Sequence, residues 1–173
     1  TARVSIGDVL NDLPQLQSTF SQQNSTRFLG TAGLNLLDLR GLGTARTLVL
    51  VNGRRHVASN ILGGATAVDI NTIPTDLLEG VDILTGGVSA VYGSDALAGV
   101  VNFRLKTNYE GLQLRAQGSI TDEGDAGSYF ISATGGKNFA DGRGNIAISL
   151  EYARSEDFFA SDRRQYRQAD GFI

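Results

Sequence analysis

The sequence predicts an α+β fold: a small mixed-sheet domain with short helices, followed by a run of antiparallel β-strands. Three observations carry this. Residues 81–105 (VDILTGGVSAVYGSDALAGVVNFRL) open on alternating apolar residues, break at Gly86-Gly87 and close on Val100-Val101-Asn102-Phe103. That composition fits two short strands around a Gly-interrupted helical turn, since Gly takes backbone angles that other residues resist and Ser and Asp cap short helices. Residues 47–51 (TLVLV) form an almost unbroken apolar run, the mark of a strand buried on both faces. From 112 to 121, even positions are apolar or small and odd positions polar, the period of a strand with one apolar face. On pattern alone, residues 81–105 equally fit an ordinary small α+β core, because short motifs recur by chance.

Composition narrows the function classes. At 173 residues the chain can hold one or two domains with a real core. A net charge of -3 and a pI near 5.1 leave no basic footprint for nucleic acid. There is no Cys, so disulfides and thiolate metal sites are excluded. The single His56 has no Cys or acidic cluster beside it in sequence and reads as a solvent-facing loop residue rather than a zinc ligand; no metal or cofactor is expected. No apolar run approaches the roughly 18 residues of a membrane helix, and no signal peptide opens the chain. Thr1 at the start and the absence of Met read as a processed or excised fragment. With 22 Gly against 2 Pro, the chain favours β structure with Gly bends over Pro-rich linkers.

In order along the chain, Ser5 is an N-cap candidate, and Ile6, Val9, Leu10 and Leu13 form one helical apolar stripe that Pro14 ends. Residues 15–31 are polar and read as a loop touching the core only at Phe20 and Phe28. Residues 34–39 predict a short strand, and Arg40-Gly41-Leu42-Gly43 turns the chain into the 47–51 strand. The Gly41-x-Gly43 pair invites a dinucleotide reading, which fails because Arg46 occupies the third Gly position and a strand follows instead of a helix. Residues 53–66 lack periodicity and read as a polar connection. Pro74 suits the first turn of a short helix through Leu78, which Gly80 ends. Beyond Thr107, three alternating segments separated by turns at 122–127 and 141–144 match the weak signature of a transmembrane β-barrel. A half-exposed soluble meander gives the same alternation. Residues 155–173, with Arg163, Arg164, Tyr166 and Arg167, read as a surface loop.

A resemblance decides between these readings. Gly87, Ser89, Ala90, Tyr92, Gly93, Ala96, Gly99, Val100, Val101, Asn102 and Phe103 resemble the signature of the plug domain of TonB-dependent outer-membrane receptors. Leu39-Arg40-Gly41 and the segment from Leu48 to Arg54 resemble two further plug motifs, in the family's order and near its spacing. The resemblance implies a plug over 1–107 and, over 108–173, the first three barrel strands with part of an extracellular loop. Three strands cannot close a barrel of about 22.

The implied function is that of an outer-membrane active transporter of a Gram-negative bacterium. Such a receptor binds a scarce nutrient of the siderophore, vitamin or saccharide class and imports it to the periplasm with energy delivered by TonB. It is not an enzyme, and no catalytic arrangement stands out. Implied partners are TonB, whose contact segment is not recognisable in this chain, the nutrient, and outer-membrane lipid. The fragment is expected to self-associate through exposed strand edges. By resemblance, Arg55, His56, Ser59 and Asn60 are the first substrate-contact candidates, with Ser89 and Tyr92 behind them. Thr85-Gly86-Gly87 stands where many members have Arg-Gly-Pro, so one of the two plug arginines that pair with barrel glutamates is absent. Arg40 keeps the other position, with Glu151 as a candidate partner from the polar register of its strand. The alternatives are a secreted β-rich binding or adhesion module, and a soluble nucleotide-dependent enzyme.

Overall fold

The computed structural model of the protein describes residues 6–10, 13–17, 33–61, 65–120 and 127–156. In chain order its elements are α1 (Ile6–Leu10), β1 (Thr47–Val51), β2 (Arg54–Arg55), β3 (Ser59–Ile61), β4 (Ala65–Ala67), β5 (Leu78–Thr85), α2 (Ser89–Tyr92), β6 (Gly99–Leu105), β7 (Gly111–Ile120), β8 (Gly127–Phe139) and β9 (Gly144–Ser155). Short 3-10 turns lie at Thr44–Arg46, Ile70–Thr72 and Ser94–Ala96.

The two most apolar strands pair in parallel, from Thr47 opposite Gly99 to Val51 opposite Phe103. Antiparallel β5 flanks β6 and antiparallel β2 flanks β1, giving a mixed sheet of order β2-β1-β6-β5. Alternation within β1 sends Val49 to one face, where it joins Val101, Phe103, Leu37, Leu39, Ile70 and Ile73 in the main core. Leu48 and Leu50 go to the other face and pack with Val100 and Ala96, edged by Val88 and Tyr92 of the α2 turn. Burial on both faces is what the apolar run predicts. The crossing at Gly99 demands glycine, because φ is +144° and a Cβ there would sit 2.4 Å from the carbonyl oxygen of Leu84.

The second sheet is the antiparallel meander β7-β8-β9, whose middle and last strands are joined by a tight turn with positive φ at Ala140, Asp141 and Gly142. Its two faces differ sharply. Leu112, Leu114, Ile120, Ile131, Ile146, Ile148 and Leu150 are all exposed on one side. On the other, Arg115, Ser132 and Glu151 lie opposite one another as a single row across the three strands. Phe130, Ser132 and Thr134 of the middle strand are buried on that polar side. A sheet one layer thick hides such residues only if something stands on it. What stands there is the N-terminal unit with the connection that leaves it: Asp76 meets Ser132, and Tyr109 lies against Gly136.

Several expectations need correction. Residues 34–39 form no strand; only an isolated bridge joins Leu16 to Leu39. Their main chain is satisfied by side chains instead: Asp69 accepts from the amide of Asn35, and Thr47 Oγ1 from that of Leu39, each at 3.0 Å. The helical turn near Pro74 lies before it, over Ile70–Thr72, because Asp69 caps its start by accepting from the Asn71 amide at 3.1 Å. Leu78 and Gly80 belong to strand β5, at a register shift against β6. The connection at 53–66 carries β2 and the start of the β3-β4 hairpin. Val9, expected on the buried stripe of α1, is about half exposed, and the helix ends at Leu10. Ser5, Phe20, Phe28, residues 122–126 of the first meander turn and residues 157–173 of the last loop lie outside the described residues, while Gly127 begins β8 and Ser155 ends β9.

Candidate functional site

Two polar clusters stand out. The first gathers residues from β2 and the α2 turn. Gly93, with φ +90°, ends the four-residue α2 and leads into the Ser94–Ala96 turn, which places the Tyr92 carbonyl and the Asp95 carboxylate side by side. Arg55, held in β2 opposite Leu50, donates to both: 2.6 Å to Asp95 Oδ2, and a second guanidinium bond to the Tyr92 carbonyl. Both side chains of the ion pair are about half exposed, which leaves part of the guanidinium open to a ligand. Among the sequence candidates, Arg55 and Tyr92 are thus brought together. His56 turns elsewhere: its Nε2 pairs with Thr72 Oγ1 at 2.7 Å, and it is half-buried rather than fully solvent-facing. Ser59 accepts from the amide of Asp69 at 3.2 Å. Asn60 lies in β3 opposite Thr66, and Ser89 begins α2 with its carbonyl accepting from Gly93.

The second cluster joins the two sheets. Thr75 and Asp76 follow Pro74, immediately before β5, and both engage the polar row of the meander. The Asp76 carboxylate, whose side chain is only 1% exposed, takes Arg115 Nη1 at 3.1 Å and the Ser132 hydroxyl. Glu151 Oε1 accepts from Thr75 Oγ1 at 2.9 Å and from the Asp76 amide at 3.0 Å. Lys106, on the segment leading to β7, donates to the Asp76 carbonyl at 2.9 Å. The guanidinium of Arg115 also lies over the Phe130 ring, 4.6 Å from its centroid. Two carboxylates and two cations therefore meet here, each with a partner.

Glu151 thus reaches the N-terminal unit at Thr75 and Asp76, not at Arg40. Arg40 is exposed in the turn after Leu39, with φ 61° and its amide donating to the Gln15 carbonyl at 3.0 Å. Sequence reasoning missed Asp76, Arg115, Ser132 and Lys106. One signal was present: Arg115 is the sole charge on the polar side of the 112–121 alternation, and a charge pointing at a docked surface needs a counter-charge.

No helix among the described residues is long and apolar enough to cross a membrane, which says nothing of strands. No group of three or more potential metal-ligating side chains occurs among them either. The polar row against a docked unit and the apolar outer face are the arrangement of a barrel wall around a plug. Comparison with known proteins agrees. A point mutant of the ferric enterobactin receptor from Pseudomonas aeruginosa, solved in complex with enterobactin, superposes with a TM-score of 0.66 at 19% identity, covering 93% of this chain and 24% of that one. The siderophore receptor PirA from Pseudomonas aeruginosa gives 0.57 at 19% identity, covering 87% and 25%. The chain therefore spans about a quarter of the length of the solved receptors it matches. The family model described as the TonB-dependent Receptor Plug Domain matches residues 1–100, more than half of the sequence, and the chain belongs to that family.

Proposed function

We propose that the chain is the plug (1–107) and the first three barrel strands (108–173) of an outer-membrane transporter that binds a ferric siderophore and imports it with energy delivered by TonB. The observation that carries this is the two-sided meander: its apolar side chains face outward while its polar row grips the plug. The siderophore class rests on the ligands named for the two solved receptors. No catalysis belongs to this reading. Arg40 faces a carboxylate on the barrel wall other than Glu151, which is engaged by Thr75 and Asp76.

Substrate reaches the plug at Arg55, His56, Ser59 and Asn60, with Ser89 and Tyr92 behind them. The half-exposed guanidinium of Arg55 beside Tyr92 is the best-placed donor for an anionic chelate. The test is iron-limited growth on a panel of ferric siderophores, with the full receptor present, deleted, or present in cells lacking TonB. Loss of growth on one siderophore in both deficient strains is expected, and equal growth in all three would overturn the reading. Replacing Arg55, His56 and Asn60 together by Ala is expected to weaken ligand binding at least tenfold at normal surface abundance, since truncated charged contacts at a binding site cost about 1.4 kcal/mol or more. Unchanged affinity would reduce this loop to a connection.

A further inference from the structure

We propose that Asp76 is the latch of the plug, the residue whose contacts with the wall must break before the plug can separate from it. The part concerning transport rests on the reading above; the latch itself does not.

The cluster has the architecture of a catch. Asp76 is the sole residue of the described plug for which an ion pair with the wall is found, and its carboxylate is almost fully removed from water while Arg115 remains 45% exposed. Buried charge is tolerated only when paired, so the carboxylate cannot leave Arg115 and Ser132 unless it reaches solvent in the same movement. The bonds are also concentrated. Thr75 and Asp76 are adjacent residues, and Arg115, Ser132 and Glu151 form one row, so all wall contacts of this segment break together. The polarity runs in both directions: the plug offers a carboxylate to a wall guanidinium, and the wall offers a carboxylate to plug N–H and O–H groups.

Lys106 extends the latch into the connection between the units. Its ammonium holds the Asp76 carbonyl and lies 5.3 Å from the Tyr109 ring centroid, while the Tyr109 carbonyl accepts from Asn145 at 2.8 Å. Opening at Asp76 therefore frees the plug side of a connection whose other end stays fastened to β9.

The chain contains no cysteine, so a single Thr134→Cys reports opening by alkylation. Thr134 is fully buried on the polar face next to Ser132, and thiol reagents reach it when the plug lifts. The experiment uses the whole 173-residue chain refolded in detergent micelles. Adding Asp76→Asn is expected to accelerate alkylation by about tenfold or more, because it leaves Arg115 without its counter-charge. Asp76→Glu is expected to restore most of the protection, and Arg104→Ala, whose ion pairs with Glu79 and Asp82 lie within the plug sheet, to change nothing. An Asp76→Asn rate equal to that of Thr134→Cys alone overturns the latch, as does equal acceleration by Arg104→Ala. If Asp76→Asn fails to fold by circular dichroism, Ser132→Ala removes one hydroxyl bond only. A rise in rate then supports the latch, and an unchanged rate overturns it. Alkylation reads docking alone, so its failure leaves the growth experiment standing, and failure of growth leaves the latch standing.

Discussion

At the scale of the residue, the structure separates side chains committed to the core from polar side chains left partly open to solvent. Phe103 is fully buried between β1 and β5 in the main core. Phe103→Ala is expected to cost about 3–5 kcal/mol in chemical denaturation of the plug, the range for removing a buried ring. Arg55 and Asp95 are the opposite case. Their 2.6 Å pair is half exposed, and a double-mutant cycle is expected to give coupling below about 1 kcal/mol. A larger coupling would mean that Arg55 is committed to the plug and poorly placed for a ligand. His56 shows why the residue scale is hard to read from sequence. Its partner Thr72 lies 16 residues away, and nothing in the local pattern announces it.

At the scale of the element, period decided what was legible. The apolar run of β1 and the alternation of β7, β8 and β9 declare themselves because burial on two faces or one leaves a direct trace in the sequence. Residues 34–39 carry a strand-like apolar pattern, yet they hand their main-chain groups to Asp69 and Thr47 instead of a ladder. Pro74 suggested a helix start, but the Asp69 cap sets the helical turn upstream. The plug–wall junction was readable in Glu151, from the polar register of its strand, and in the unmatched charge of Arg115; the plug residues they meet, Thr75 and Asp76, were not, since the relative placement of the two sheets is a tertiary fact. The mixed sheet buries apolar residues on both faces without help from the meander. Residues 1–107 are therefore expected to fold alone, with dispersed amide signals in a heteronuclear NMR spectrum; a random-coil spectrum would contradict this. Gly136→Ala should weaken the junction, because its Cβ would sit 2.4 Å from the Tyr109 carbonyl oxygen. Faster amide exchange across residues 106–111 would register that.

At the scale of the whole molecule, the proposed reading turns on the two faces of the meander. One face docks the plug through paired charges, and the other presents exposed Leu, Ile and Tyr side chains that water does not suit, with Lys137 near one end and Arg154 near the other. Near one end of that face, Tyr129 and Tyr152 lie with ring centroids 5.9 Å apart. They fit the aromatic girdle where a barrel meets the lipid headgroups. Both outer strands, β7 and β9, also have an unpaired edge among the described residues. The chain in detergent-free buffer is thus expected to self-associate, and a clean monomer by light scattering would contradict the exposed edge and apolar face.

The central claim is that β7–β9 form a barrel wall with lipid on one side and the plug on the other. It is tested most directly by spin labels at single cysteines introduced into the longer receptor in outer-membrane vesicles. The account predicts that labels at Leu114→Cys, Ile148→Cys and Leu150→Cys collide with oxygen dissolved in the bilayer and are shielded from a water-soluble nickel chelate. Labels at Gln113→Cys and Ser149→Cys, one residue away, should be shielded from the bilayer. Equal access of the nickel chelate to both sets would contradict the account and return the meander to a soluble sheet.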